Sequence, residues 1–157
     1  MAIPDLLKAC PLFVELYDKE IEKLVRYCSV YNYEPGDFIV KDQDEGDQIF
    51  VLIEGSAMVE KALEHGRIEI APIQSGDVFG ELALMGQKTR TADIIAKEYS
   101  HVLEISYSEI FVLFQKEPKI FGILMLNIAR LISQRLSNSN NIIVGLQEQL
   151  KASKGAA

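Results

Sequence analysis

The sequence predicts an α+β fold, in which an antiparallel β-roll (jelly roll) is flanked by N-terminal helices and a long C-terminal helix. Short segments rich in Val, Ile, Phe and Tyr fill residues 30–106 and are punctuated by glycine. Helical periodicity occurs before residue 29 and returns after residue 108. The 157 residues, nearly half of them apolar, are enough for a single domain, residues 1–157, with a sizeable core.

The N-terminal part, about residues 10–29, is predicted to be helical. Asp18 is a residue type that favours the N-cap position. Ile21, Leu24 and Cys28 recur along one face of the helix that would follow. We therefore expect a helix that starts at Asp18 and continues to about Cys28.

Turn signals divide residues 30–106 into short strands. They are Pro35-Gly36, Glu45-Gly46-Asp47, Glu54-Gly55, His65-Gly66 and Ser75-Gly76-Asp77. Regular punctuation of this kind is typical of a β-sandwich or jelly roll. The His65-Gly66 pair is most simply explained as a hairpin turn.

Residues 108–150 are predicted to form the C-terminal helices. Ser106 or Ser108 can cap the first of them, and Pro118 should divide a short helix from a longer one. The segment SNSNN at 137–141 contains residue types that compete with helical hydrogen bonds, so it could be a flexible joint between two helices.

The long helix contains a coiled-coil seam, because apolar and small residues recur at alternating intervals of four and three. The seam residues are Met125, Ala129, Ile132, Leu136, Ser139, Ile143, Leu146 and Leu150. A second copy of the chain could cover this seam, which predicts a parallel homodimer. The alternative is a helix that folds back onto its own roll. That alternative fits Ile120–Leu136 but leaves the distal seam residues without a partner.

The most informative segment is FGELALMGQKTRTA at residues 79–92. It combines groups that could hold a small sugar phosphate. Gly80 permits close approach of the backbone, and a short helix over Glu81-Leu82-Ala83-Leu84 would direct backbone N–H groups at an anion. Arg90 can donate to two phosphate oxygens at once. The Glu81 carboxylate can accept a hydrogen bond from a ribose hydroxyl.

Each of these residues also has a purely structural interpretation. Arg90 or Glu81 alone could belong to an ordinary surface ion pair. Thr91 could bind phosphate or base through its hydroxyl, or could simply be a β-branched strand residue. Asp93 could compete for Arg90 if the chain bends there. The order and spacing of the whole segment favour the binding function.

Residues 79–92 resemble the phosphate-binding cassette of the cyclic nucleotide-binding domain superfamily, since FGELAL is followed by five residues and RTA. The similarity extends through YEPGDFIVKDQDEGDQIFVLIEGSAMV at 33–59 and covers about residues 10–150. It implies backbone contacts from Gly80, Leu82 and Ala83. It further implies that Glu81 holds the ribose 2′-hydroxyl, Arg90 holds the cyclic phosphate and Thr91 completes the phosphate or base contacts.

The resemblance also suggests a role for the long helix. Anchoring the family's central helix on Gln134-Arg135-Leu136 places its base-contacting polar pair at Ser139 and Asn140, with Arg135 near the ligand. This is the functional alternative to a flexible joint at 137–141. Thr89 departs from the pattern because many relatives have proline there, and losing that fixed φ could loosen the loop.

Composition argues against nucleic-acid binding, a membrane span, a disulfide and a metal site. A formal charge of −7 opposes direct nucleic-acid binding, and we expect no membrane span and a cytoplasmic location. The two cysteines, Cys10 and Cys28, are expected to be reduced. The two histidines, His65 and His101, are too few and too far apart to predict a metal site.

We therefore expect a non-catalytic sensor that binds cyclic AMP or cyclic GMP and shifts its C-terminal helix and dimer arrangement, without any metal or other cofactor. We favour cyclic AMP, although Thr91 also fits the pattern of cyclic GMP-responsive relatives. The alternatives are a structural dimerisation module with a vestigial pocket, and a catalytic jelly roll. Because only Lys151–Ala157 follow the predicted helix, the output would require an effector protein, or the chain is a fragment of a longer regulator.

Overall fold

The computed structural model describes residues 5–155. Its α-helices are α1 (Asp5–Ala9), α2 (Asp18–Val25), α3 (Tyr107–Lys116) and α4 (Pro118–Gly155). Single 3₁₀ turns occur at Pro11–Phe13 and Glu81–Met85. The strands are β1 (Ser29–Tyr33), β2 (Phe38–Val40), β3 (Gln48–Glu54), β4 (Ser56–Leu63), β5 (Gly66–Gln74), β6 (Val78–Phe79), β7 (Asp93–Ala96) and β8 (Ser100–Ser106).

The strands form two four-stranded antiparallel sheets, in the orders β1-β8-β3-β6 and β2-β7-β4-β5. In the first sheet Val51 is paired with Leu103, and in the second Ala57 is paired with Ile73. The hairpin between β4 and β5 closes at Gly66, as its sequence predicted. The architecture confirms the predicted α+β fold with an antiparallel roll.

Strand β3 lies between the two halves of the core. Ile49 and Val51 belong to the cluster that packs against the helices, whereas Phe50 and Leu52 belong to the cluster between the sheets. Successive strand residues point to opposite faces, so a strand that is covered on both sides must be apolar throughout. This explains the continuous apolar run at residues 49–53.

The N-cap of helix α2 is one residue earlier than the sequence indicated. Tyr17, not Asp18, is the N-cap residue, with extended backbone angles, and its N–H donates to the Glu20 carboxylate at 2.9 Å. Asp18 is the first helical residue, and its carboxylate instead accepts a hydrogen bond from Lys8 at 3.0 Å. The helix also ends at Val25, before the predicted Cys28.

The C-terminal helices follow the predicted division. Ser106 caps α3, because its hydroxyl accepts the Glu109 N–H, and Pro118 begins α4. A flexible joint at residues 137–141 was a wrong expectation, because α4 runs without a break through this segment. Its polar side chains are exposed, so water can satisfy them and they need not compete for backbone groups.

The first half of α4 is anchored to the N-terminal elements. Ile120, Leu124 and Ile128 are buried in the helix-side core. The buried Asn127 amide donates to the carbonyls of Leu12, at 3.0 Å, and Val14, at 2.7 Å. Folding back onto the domain therefore accounts for the first half of the helix alone.

Helix α4 is also long and apolar enough to cross a membrane by length and composition, with a mean hydropathy of 1.2 over one 18-residue window. The sequence has no uninterrupted apolar run of that length. Core helices of ordinary domains pass the same test. In this structure 22% of that window is buried, and Leu124 and Ile128 of the helix pack in the domain core.

Candidate functional site

The candidate site is built around a left-handed glycine. Gly80 has φ 78° and directly follows the two-residue strand β6, so it turns the chain into the 3₁₀ helix Glu81–Met85. A Cβ at this position would lie 3.0 Å from the Gln48 carbonyl oxygen and from the Phe50 ring. Both the backbone angle and the close packing therefore require glycine.

Arg90 is a buried cation, with only 9% of its surface exposed. Its Nη2 donates to the carbonyl of Gln48 at 3.0 Å and to the Gln48 side-chain oxygen at 3.1 Å. Its Nη1 donates to the Gly80 carbonyl at 3.3 Å, and its guanidinium carbon lies 5.4 Å from the centre of the Phe50 ring. The guanidinium is thus held in place by neutral acceptors and an aromatic face.

Arg90 remains positively charged although it is buried. Desolvation lowers the Arg90 pKa, and the carboxylates of Asp47, Glu104 and Glu81 act in the opposite direction. The pKa of an arginine side chain is so far above neutrality that the guanidinium keeps its proton at neutral pH. The site therefore holds a partly desolvated positive charge whose direct hydrogen-bond acceptors are neutral.

Glu81 is a buried carboxylate that forms an ion pair with helix α4. Its Oε1 lies 2.6 Å from Nη1 of Arg135, and Nη2 of the same arginine donates to the Val78 carbonyl. The Glu81 side chain is 6% exposed, whereas that of Arg135 is 43% exposed. Arg135 therefore extends from the long helix across the edge of the cassette to reach the acid.

One cavity of about 200 Å³ brings these groups together. The sequence-predicted residues that line it are Gly80, Glu81, Leu82, Ala83, Arg90, Thr91 and Arg135. Its remaining lining residues include Val40, Val59 and Ile94 from the second sheet, which give it an apolar wall. The cavity has one buried cation and one buried carboxylate, the pair of charges predicted to hold a phosphate and a sugar hydroxyl.

Two predicted cassette residues have features that the sequence did not indicate. Thr91 lies in irregular, exposed backbone and β7 begins only at Asp93, so the interpretation of Thr91 as a strand residue is wrong. The Ala83 N–H donates to the Gly80 carbonyl at 3.2 Å, so this donor already has an acceptor within the turn. The Asp93 carboxylate pairs with Arg67 and not with Arg90.

The predicted base-contacting residues are separate from the cavity. Ser139 and Asn140 are exposed on α4 and are not among the lining residues. Ser139 follows Arg135 by four residues and therefore lies on the same helix face, one turn farther along. Base contact by either residue remains a prediction.

Gln48 and Gly46 were missed as site residues. Gln48 provides two of the acceptors for Arg90, and a Cβ on Gly46 would lie 2.7 Å from Nη2 of Arg90. The available signal was the Glu45-Gly46-Asp47 sequence, which indicated a turn but could not show that the turn packs against an arginine 44 positions away.

No group of three or more metal-ligating side chains occurs among residues 5–155. Cys10 and Cys28 are free thiols, and burial raises the pKa of Cys10 to about 11.

Comparisons with known proteins agree with the geometry. The sequence profile of the cyclic nucleotide-binding domain family matches residues 30–117, more than half of the chain. Human cGMP-dependent protein kinase 2 is 33% identical over 94 residues, which are 59% of this chain and 12% of the kinase. The cAMP-dependent protein kinase regulatory subunit of Mycosarcoma maydis is 31% identical over 86 residues, 55% of this chain and 16% of that subunit. The chain thus matches a small part of these relatives.

Solved structures share the fold over most of the chain. The N-terminal domain of a transcriptional regulator from Streptomyces coelicolor A3(2) is 25% identical with a TM-score of 0.75, covering 88% of this chain and 95% of that one. A cyclic nucleotide-binding domain from Methylobacillus flagellatus KT has a TM-score of 0.79 at 20% identity, covering 89% and 79% of the two chains. With the cassette, its cavity and the profile match in agreement, the chain belongs to the cyclic nucleotide-binding domain family.

Proposed function

We propose that this domain is a sensor that binds cyclic AMP or cyclic GMP in the cavity beside Arg90. The observation that carries the proposal is that the Arg90 guanidinium and the Glu81 carboxylate, both buried, line one cavity together with the Gly80 turn. A cyclic nucleoside monophosphate presents an anion and a ribose hydroxyl on one small rigid ring system. These two groups are complementary to a cation and a carboxylate.

Arg90 is the proposed phosphate ligand. A guanidinium that is already desolvated and positioned loses little further hydration or side-chain entropy when an anion arrives. Its direct acceptors are carbonyl and amide oxygens, which a phosphate can outcompete because charge-assisted hydrogen bonds are stronger than neutral ones. The local cation acts at short range, where the chain's net charge of −7 matters less.

Glu81 is the proposed ribose ligand, and it is the link to helix α4. A ribose 2′-hydroxyl that donates to Glu81 approaches the same carboxylate that Arg135 contacts at 2.6 Å. Ligand binding would therefore change the environment of an ion pair that joins the cassette to the middle of α4. This differential contact would shift the population of α4 arrangements, with coupling of typically about 1–3 kcal/mol.

We further propose that α4 forms a parallel homodimer through its seam. Beyond Arg135 the seam residues Leu136, Ile143, Leu146 and Leu150 are more than half exposed in the single chain. A helix face with apolar residues at this spacing is unstable in water unless another helix covers it. Base contact by Ser139 and Asn140, which lie within this stretch, is part of the same proposal, with an effector protein that responds to the arrangement.

Both ligands are compatible with the cavity. The apolar wall of Val40, Val59 and Ile94 suits either purine, and relatives named for cyclic GMP and for cyclic AMP both match this chain. A cytoplasmic location is part of this proposal. A titration of the two nucleotides under identical salt conditions decides between them.

The test of the function separates it from its two alternatives. Purified protein is incubated with cyclic AMP or cyclic GMP, binding is followed by calorimetry, and the nucleotide is then analysed by chromatography. Saturable binding of intact nucleotide supports the sensor. Conversion of the nucleotide would instead show a catalytic jelly roll, and absence of both binding and conversion would show a structural dimerisation module.

A further inference from the structure

A charged cluster contacts the cassette backbone at Thr91. It consists of Asp42, Lys61, Asp93 and Arg67, which we call the brace. The Lys61 ammonium contacts Asp42 at 2.8 Å and donates to the Thr91 carbonyl at 2.8 Å. Asp42 in turn donates its N–H to the Asp93 carboxylate at 2.7 Å, and Arg67 pairs with the same carboxylate. The brace thus connects β4, β5 and β7 to the backbone around Arg90.

The backbone that carries Arg90 is not part of a regular strand. Residues 86–92 follow the 3₁₀ helix, and their one β-bridge joins Thr89 to Glu45. The Arg90 N–H donates to the Asp44 carbonyl at 2.9 Å, and the Arg90 carbonyl accepts the Gln43 N–H at 2.9 Å. Arg90 is therefore held by a second irregular segment, residues 42–46, and the two segments support each other.

Lys61 is positioned to fix both segments at once. It lies on β4, a strand that is paired with β5 on one side and β7 on the other. One ammonium group has three N–H donors, and here they reach Asp42 on one segment and Thr91 on the other. The Asp42 side chain is 17% exposed, so this pair is better shielded from water than a typical surface ion pair. The same contact holds the pKa of Asp42 below its usual range.

We propose that Lys61 is a positioning residue for the phosphate site, acting with Asp42 to hold the backbone of Arg90 and Thr91 in the geometry that binds a cyclic nucleotide. The inference rests on the proposed function, because it assigns Lys61 to that same site. Lys61 does not line the cavity, and its ammonium is engaged by Asp42 and Thr91. Its effect on the ligand is therefore transmitted through the backbone.

Two substitutions distinguish positioning from a simple effect of charge. Lys61→Met removes a positive charge and Asp42→Ala removes a negative one. If these residues acted only through their electric field, the first would weaken and the second would strengthen binding of an anion. Positioning predicts that both weaken cyclic AMP or cyclic GMP binding, each by about three- to ten-fold. Lys61→Arg, which keeps the donors, should recover most of the loss.

A ligand-independent readout makes the test specific. In Lys61→Met, hydrogen exchange at the Gln43 and Arg90 amides of the unliganded protein should become faster, because these two amides join the segments that Lys61 holds together. Lys23→Met is the matched control, since Lys23 pairs with Glu117 at 2.9 Å away from the cassette, and it should change neither exchange nor affinity.

The outcomes are separable. Unchanged exchange at Gln43 and Arg90 in Lys61→Met, or affinities that move in opposite directions in Lys61→Met and Asp42→Ala, would overturn the positioning role. Failure of the parent protein to bind either nucleotide would overturn the proposed function instead, and the exchange experiment would still decide whether the brace orders the backbone.

Discussion

Glu81 and Arg135 form an ion pair, 2.6 Å from oxygen to nitrogen, that joins the cassette to the middle of the long helix. The two residues are 54 positions apart in the sequence, Glu81 in the 3₁₀ helix of the cassette and Arg135 in α4. The carboxylate is buried and its partner is 43% exposed. Under the proposed function, a ribose hydroxyl that binds Glu81 would alter this contact.

A double-mutant cycle should show that this contact is coupled. Glu81→Gln and Arg135→Met are each expected to lower the free energy of unfolding by about 1–2 kcal/mol, and the double variant should lose less than the sum. Denaturant unfolding measures all four proteins. The control cycle uses Glu15 and Arg130, an exposed pair at 3.0 Å, whose coupling should be below about 1 kcal/mol.

Saturating ligand should reduce the coupling between Glu81 and Arg135, because the ribose hydroxyl becomes a second partner of the carboxylate. The same cycle is repeated with nucleotide present. A coupling free energy that is identical with and without ligand would contradict a role for this pair in transmitting occupancy to α4.

Gly46→Ala should impair the site while leaving the fold intact. A Cβ at residue 46 would lie 2.7 Å from Nη2 and 2.8 Å from Nε of Arg90, so the flexible guanidinium must move away. We expect roughly a ten-fold loss of nucleotide affinity with little change in melting temperature. Both quantities are measured by calorimetry.

Gly122→Ala is the matched control for this substitution. Its added Cβ meets no atom within 4 Å, and the position is inside helix α4. The variant should be more stable by about 0.5–1 kcal/mol, because alanine favours helix, with affinity unchanged. Equal affinities in the two alanine variants would show that Arg90 does not need its present position.

Leu146→Asp should disrupt the proposed dimer. Leu146 is 54% exposed in the single chain, and a seam position would bring two carboxylates together at an apolar interface. Sedimentation should change from dimer to monomer. Ile70→Asp on β5, at a residue 55% exposed, should leave the association unchanged. A parent protein that sediments as a monomer at every concentration would refute the dimer.

The pH dependence of stability should reflect Glu104. Partial burial, and repulsion from Glu109, raise the pKa of Glu104 above its ordinary 4.5, while Arg90 opposes the shift. A raised folded-state pKa means that the unfolded chain ionises first. The stability from this group is therefore complete below pH 4.5 and is lost as the pH rises through the folded-state pKa.

Glu104→Gln should abolish that loss, so its melting temperature relative to the parent should increase as the pH rises from 4.5 toward neutrality. Thermal melts at several pH values measure the difference. Glu148→Gln, an exposed position on α4, is the control and should follow the parent curve. A difference that does not depend on pH would contradict the assignment.

The local features of this chain could be predicted because local chemistry determines them. Gly80 adopts the left-handed conformation that its place in the cassette indicated, Ser106 caps α3 and Pro118 starts α4. The grouping of Glu81 and Arg90 in one cavity followed from a resemblance that spans the whole segment. Each of these signals is contained within a few residues of sequence.

Most features that the sequence did not predict involve contacts between residues far apart in the chain. The N-cap is Tyr17 and not Asp18, and the Asp18 carboxylate instead pairs with Lys8, ten residues away. Helix propensity also suggested a break at the polar segment 137–141. The helix is continuous there, because serine and asparagine are tolerated on its exposed surface. Neither the Lys61 contact with Thr91 nor the brace has any local signature.

The proposed cyclic nucleotide site depends most directly on the phosphate contact of Arg90. Arg90→Ala is expected to weaken cyclic nucleotide binding by about 2–4 kcal/mol, or thirty- to a thousand-fold, because it removes a charge-assisted contact. The other arginine in the cavity lining, Arg135, is already paired with Glu81. Arg130→Ala, at an exposed arginine paired with Glu15, is the control and should bind like the parent.

The decisive measurement is a calorimetric titration of the parent, Arg90→Ala and Arg130→Ala with cyclic AMP and with cyclic GMP at one salt concentration. We predict saturable binding of at least one nucleotide by the parent and by Arg130→Ala, and the large loss in folded Arg90→Ala. Equal affinity in all three proteins, or no binding by the parent, would contradict the account.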